Sequence, residues 1–249
     1  MTCCARFNSW LWNTPGYTQE EKAVNHIRSH DNVNDKCLFI FRVFAALVCI
    51  VHAFYFWILW QYDDETELHL PLVYFTNWSL YVTIVYFLLN SVAYLRHPKN
   101  KTTLPEGEAT GSVWKWCSFL YTLSFAANMM TTLIFWLVLY PELIKTRQMK
   151  YGWVSLHGGP LAFTFIDFAL NRIIIERNQW VLVLLFGLIY AVMLAIFTVS
   201  DDHYIYPMFK LKTTGSWVFL FSQNIFGVIV HFLIYAFDKC KYKCCCPRK

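Results

Sequence analysis

The sequence predicts an all-α, polytopic membrane protein of six transmembrane helices with both termini in the cytosol. Three observations predict it. The composition is 57% hydrophobic, 19% aromatic and only 15% charged, outside the range usual for soluble domains. Six apolar runs are long enough, at roughly 20 residues, to cross a hydrocarbon core of about 30 Å. Basic residues crowd alternate connections between those runs, as expected when Lys and Arg are retained on the cytosolic side.

The runs are Cys37–Trp60, Pro71–Leu95, Trp114–Tyr140, Trp153–Leu170, Trp180–Ser200 and Trp217–Phe237. Lipid offers backbone groups no partner, so each run must close its own hydrogen bonds as a helix. Barrel strands would instead read as alternating segments of about ten residues. The chain thus divides into a cytosolic tail over 1–36, a membrane domain over 37–238 and a basic, Cys-rich tail over 239–249. The first tail is polar and mixed in charge, unlike a cleaved signal peptide. Within it, Thr18-Gln19-Glu20-Glu21 is a capping-box pattern that starts a short amphipathic helix running toward His30. His26 and His30 share a face of that helix, but two ligands on a solvated helix make a poor metal site. No metal and no cofactor are expected. The 97–112 connection, with Pro98, Pro105, Gly107 and Gly111, reads as a flexible cytosolic loop.

Charge sets the orientation. The N-terminal tail, the 96–113 and 172–177 connections and the C-terminal tail hold 14 Lys and Arg, against 5 in the connections at 61–70, 141–150 and 201–215. The first of the latter is acidic, with Asp63, Asp64, Glu65 and Glu67. The basic set belongs inside, and an even number of crossings puts both tails there, in the plasma membrane or the endoplasmic reticulum. Attraction to anionic lipid accounts for the net charge of +5, so no nucleic-acid partner is implied. Cys3 and Cys4 at one end, and Cys240, Cys244, Cys245 and Cys246 at the other, border the cytosolic membrane surface. Juxtamembrane cysteines among basic residues are candidates for S-palmitoylation; free thiols in a reducing compartment are the alternative. The C-terminal cluster lacks the His and the paired spacing of a structural zinc site.

Polar side chains inside the spans are costly and therefore informative. Arg42 and Lys115 lie near cytosolic ends and read as snorkelling residues. His52 and His231 read as neutral rings bonded to a neighbouring helix, and Asn128, Gln223 and Asn224 as interhelical glue. The fourth run differs, because His157 is followed by Gly158, Gly159 and Pro160. Glycine permits close approach or unwinding and proline removes a donor, so an irregular helix is expected there. Asp167 lies ten residues further on, about 15 Å along a helix axis. It is expected near the cytosolic end, bonding Asn171 or Arg172, with His157 in the outer half. Phe75-Thr76-Asn77-Trp78 brings a hydroxyl and an amide to similar depth in the second run. A Thr hydroxyl facing an imidazole in a dry cavity can serve as nucleophile and general base. A Thr that bonds its own preceding carbonyl is the plainer reading.

The stretch Tyr74-Phe75-Thr76-Asn77-Trp78-Ser79-Leu80, followed by Val85-Tyr86-Phe87-Leu88-Leu89, resembles the rolling stone proteins, relatives of the androgen-induced family of membrane hydrolases. His157 followed by Ile166-Asp167-Phe168 is similar to the family's fourth span, and Tyr204-Ile205-Tyr206-Pro207-Met208-Phe209 to its motif before the last span. The resemblance covers most of residues 37–238. It implies six spans and hydrolysis of fatty acid esters of hydroxy fatty acids, with Thr76 on the position of the nucleophile and His157 on that of the histidine. Val154 stands where the hydrolases carry a second His, Asp167 where they carry Glu, and Gly158-Gly159-Pro160 departs from their pattern. Rolling stone itself is associated with myoblast fusion.

Three functions follow as candidates. The first is an intramembrane lipid esterase whose acyl-ester substrate enters from the bilayer; Asn77 or freed amides near Gly158 and Gly159 would stabilise the oxyanion, with Asp167 and Asn128 in support. The second is a non-enzymatic protein of adhesion, fusion or assembly, whose polar groups only pack helices. The third, a transporter, would call for midplane charges and paired broken helices.

Overall fold

A computed structural model describes residues 10–12, 34–62, 74–96, 113–141, 151–201 and 214–244. Six helices account for nearly all of them: α1 (Asp35–Tyr62), α2 (Phe75–Arg96), α3 (Val113–Ile134, prolonged by a π-helical turn at Phe135–Leu139), α4 (Tyr151–Leu170), α5 (Trp180–Asp201) and α6 (Thr214–Cys244). No β-strand occurs among the described residues. Five of the helices are long and apolar enough to cross a membrane, over Asp35–Tyr55, Phe75–Arg96, Val113–Leu139, Arg177–Thr198 and Thr214–Lys241.

The helix ends follow local chemistry. Asn34 caps α1 by accepting a hydrogen bond at 2.9 Å from the Lys36 N–H, and Asp35 places a carboxylate in the first turn, where the helix dipole favours it. No glycine closes α4. Lys241 does so instead, donating from Nζ to the carbonyls of Phe168 at 2.9 Å and Asn171 at 3.0 Å, so a cation meets the negative end of the dipole.

Solvation is inverted relative to a soluble bundle. Thr83, Ser91, Ser124, Asn128, Thr164 and Asp167 are buried, while Val51, Phe54, Leu137, Val192, Ile196 and Ile225 face outward. An exterior of exposed large apolar side chains, around an interior that buries Thr, Ser, Asn and Asp beside its aromatic and aliphatic core, is what an apolar solvent selects. These features make the chain an integral, multipass membrane protein.

Side-chain pairs fix the helix directions. Thr83 meets Asn128 and Ser79 meets Thr131, so α2 and α3 run antiparallel. Thr76 meets His157 and Tyr86 meets Asp167; ten residues separate the members on each helix, so α2 and α4 run parallel and in register. Phe125 against Phe168 and Phe135 against His157 set α3 antiparallel to α4.

Three expectations are corrected. The fourth run forms a continuous helix through Pro160, and a Cβ built on Gly158 or Gly159 would meet no atom within 4 Å; neither close approach nor unwinding occurs there. The irregular backbone lies opposite, in the π turn of α3. Arg42 does not snorkel, because a carboxylate inside the bundle holds it at 2% exposure. His52 bonds the Val48 carbonyl of its own helix at 2.9 Å rather than a neighbour. The 172–177 connection is packed into the bundle: Ile173, Ile175 and Glu176 are buried. Buried backbone must be paired, and neighbouring helices supply the partners. Asp238 accepts from the Ile175 N–H at 3.2 Å, His231 Nε2 lies 3.0 Å from the Arg177 carbonyl, and Ser118 donates to the Ile174 carbonyl at 3.4 Å.

The N-terminal segment docks at this same end. Leu11 and Trp12 are buried against Trp114, at 5.6 Å between the two indole centroids, and Asn178 donates to the Trp10 carbonyl at 2.6 Å.

Candidate functional site

The first turn of α2 is assembled by aromatic packing and one unusual donor. The N–H groups that open a helix have no intrahelical acceptor. That of Phe75 donates to the Tyr190 hydroxyl of α5 at 3.1 Å, and the rings of Phe75 and Trp78 close around Tyr190 at 4.9 and 5.6 Å. The Tyr74 carbonyl accepts from Asn77 at 3.0 Å and from Trp78 at 3.3 Å. Thr76 is thus presented by a fixed turn. Its own carbonyl accepts the Ser79 hydroxyl at 2.7 Å.

Across from it, Thr76 Oγ1 lies 3.2 Å from His157 Nε2. With the ring proton on Nδ1, the hydroxyl donates to the imidazole. Phe135 stacks on the imidazole, with centroids 3.7 Å apart and planes 12° from parallel. It does so from the π turn of α3, and such turns recur at functional sites. Below the ring, Pro160 has no N–H for the carbonyl four residues back, and at the next residue Thr132 of α3 donates to the His157 carbonyl at 2.5 Å. Side chain and backbone of His157 are therefore both held by α3. Thr76 and His157 are part-buried, on the flank of the bundle rather than deep within it.

The remaining expected site residues separate into two groups. Asn77 is buried beside Thr76 in the same turn. The amides of Gly158 and Gly159 belong to the ladder of a continuous helix, so the freed donors expected there are not formed. Asn128 sits in an α2–α3 network, donating to Thr83 Oγ1 at 2.7 Å, while Thr83 donates to the Ser79 carbonyl at 2.7 Å; this is helix glue, as its residue type implied. Asn224 donates to the Leu220 carbonyl of its own helix at 2.9 Å. A cavity of about 10 Å³, enough for one water, adjoins the first turn of α2 between Phe75, Met130, Gly187 and Asn224.

Asp167 is the centre of a second, remote cluster. It accepts from Arg42 Nε at 2.8 Å, from Asn171 Nδ2 at 2.6 Å and from the Tyr86 hydroxyl. All four side chains are buried. The sequence points to Asn171 as a partner but not to Arg42 or Tyr86. Opposite charges on two spans, both near cytosolic ends, were the available signal for the ion pair. The roles of Phe135, Thr132 and Tyr190 carried no comparable signal.

Among the described residues, no three His, Cys, Asp or Glu gather as a metal site. Cys240 is exposed and α6 runs on to Cys244. Cys3, Cys4, Cys245 and Cys246, the His26–His30 helix, the 97–112 loop and the 204–209 motif lie outside the described residues. No family model, no curated protein and no solved structure matches this chain.

Proposed function

We propose that the chain is a six-pass intramembrane lipid esterase in which Thr76 is the nucleophile and His157 the general base. The 3.2 Å contact between Thr76 Oγ1 and His157 Nε2 carries the reading. In the reaction, the Thr76 proton passes to Nε2 as Oγ1 attacks the acyl carbonyl, and the imidazolium returns that proton to the departing alcohol. Water, deprotonated by the same nitrogen, then cleaves the acyl-threonine and releases the acid. Attack at the first turn of a helix places the developing oxyanion near the positive end of the dipole, with Asn77 alongside. Phe135 and Thr132 preorganise the imidazole. A part-buried pair on the flank suits a fatty acid ester arriving from the bilayer, the substrate class implied by the resemblance to the rolling stone and androgen-induced proteins.

The six-pass topology has its own support. α4 is a helix of 20 residues, about 30 Å long, parallel to α2 with α3 antiparallel between them. Trp10 and Lys241 both contact the 168–178 stretch, which keeps the two tails on one side; the basic excess makes that side the cytosol. Acylation of Cys3, Cys4 and Cys244–Cys246 would then anchor both tails at one surface, and acyl-exchange mass labelling reads it directly.

The enzymatic test is activity-based. A fluorophosphonate reagent labels the wild type, and Thr76→Ala and His157→Ala each lose the label while their expression and melting hold. Equal labelling of wild type and Thr76→Ala would overturn the assignment, leaving a packing protein of adhesion or fusion as the better reading.

A further inference from the structure

We infer that Tyr86 and Asp167, with Arg42 behind them, form a register lock that positions Thr76 against His157. The two contacts between α2 and α4 are rungs of one ladder. Thr76 and Tyr86 are ten residues apart on α2, His157 and Asp167 ten apart on α4, and each crosses to its counterpart. On parallel helices this equal spacing puts the rungs about 15 Å apart, so neither group of the lower rung touches the reacting atoms.

The lower rung can do what apolar packing cannot. Between helices in lipid, aliphatic side chains exchange one apolar contact for another, and sliding costs little. A slip of one residue moves a helix by about 1.5 Å and turns it by about 100°. Here it would strip a fully buried carboxylate of its hydroxyl donor, a loss that no solvent repays. Arg42 pairs with the carboxylate, at 2.8 Å from Oδ1 and 3.5 Å from Oδ2, and ties α1 to the same point. Asn171, one turn further along α4, fills another site on Oδ2 at 2.6 Å. Arg42 and Asn171 thus orient the carboxylate, and the Tyr86 hydroxyl completes its donors on Oδ2. The contacts that fix the opening turn of α2 run to Tyr190 of α5, and none of them sets the register of α4. Tyr86 and Asp167 are therefore positioning residues, whereas the Thr83–Asn128 and Ser79–Thr131 contacts hold α2 to α3 whatever the register of α4.

The consequence for turnover rests on the esterase reading; the register itself does not, and two readouts on the full-length protein in phosphatidylcholine vesicles separate them. In the first, cysteines placed as Thr76→Cys with His157→Cys, or as Thr76→Cys with Leu161→Cys one turn along, are joined by a short bis-methanethiosulfonate, and the linked peptides are counted by mass spectrometry. The lock predicts that linkage at 157 exceeds linkage at 161, and that Tyr86→Phe lowers this ratio at least about fivefold, since one helical turn is all that separates the two sites. Asn128→Leu, which weakens α2–α3 packing, should lower the melting temperature and leave the ratio alone. In the second readout, fluorophosphonate labelling of Thr76 should slow by about 10- to 100-fold in Tyr86→Phe, the scale of a small misplacement. An unchanged ratio in Tyr86→Phe overturns the lock; if that variant does not assemble, the double variant Arg42→Met with Asp167→Leu, which removes the acceptor of Tyr86 without stranding a charge, is read in its place, and an unchanged ratio there overturns the lock equally. A lowered ratio with no labelling of the wild type upholds the lock and defeats the esterase reading. A lowered ratio with undiminished labelling shows that register does not govern the site, and overturns the positioning role.

Discussion

Arg42 of α1 and Asp167 of α4 form an ion pair at 2.8 Å with 2% and 0% of their side chains exposed. Removing one partner strands a charge inside the bundle, at a cost of about 3–5 kcal/mol, whereas removing both costs far less. Arg42→Met and Asp167→Leu are each expected to lower the melting temperature of the detergent-solubilised protein sharply, and the double variant to recover most of the loss. Double-variant melting no better than that of the singles would contradict a stranded charge as the cause of their loss.

At the Thr76–His157 contact, the expected losses are graded by chemistry. Thr76→Ser retains a hydroxyl and should retain measurable ester hydrolysis. His157→Gln retains a polar side chain but no base, and should lose about 10²- to 10⁴-fold, the usual worth of general-base catalysis. Hydrolysis of a fluorogenic acyl ester by purified protein, beside its melting curve, separates lost chemistry from lost folding.

For the α2–α3 network, a double-mutant cycle of Thr83→Val and Asn128→Leu isolates the 2.7 Å hydrogen bond. Interhelical bonds of this kind contribute about 0.6 kcal/mol and reach about 1.7. A coupling energy in that range is expected from unfolding in mixed micelles, with Thr76 labelling unchanged in all three variants.

Glycines make the opposite contrast. Nothing lies within 4 Å of a Cβ at Gly158 or Gly159, but at Gly187 it would stand 2.4 Å from Asn224 Oδ1. Gly158→Ala with Gly159→Ala should leave stability unchanged or raise it, since Ala is favoured in a helix by about 1 kcal/mol per site. Gly187→Ala should destabilise, because Asn224 must give up its bond to the Leu220 carbonyl in order to move. Melting temperatures of the two variants decide the comparison.

Much of the architecture was legible because membrane helices are specified locally. The run Cys37–Trp60 became Asp35–Tyr62 and Trp180–Ser200 became Trp180–Asp201: lipid forces any sufficiently long apolar run to satisfy its own backbone, whatever its neighbours. Residue types also sorted correctly where one partner suffices, as with Asn128. They misled where the partner lies far along the chain. Arg42 read as a snorkelling residue because its partner is 125 positions away, and Gly158-Gly159-Pro160 read as a break although the helix runs continuously through it.

By itself, then, the sequence determined the solvent and the helices, and it marked Thr76 and His157 as polar groups at similar depth, because apolar run length and functional-group type are local properties. Only the tertiary structure decided that Thr76 and His157 meet, that Phe135 covers the ring, and that Tyr86 meets Asp167 at the same spacing below. Those contacts depend on the register between helices, which hydrophobicity leaves free and which buried polar pairs fix.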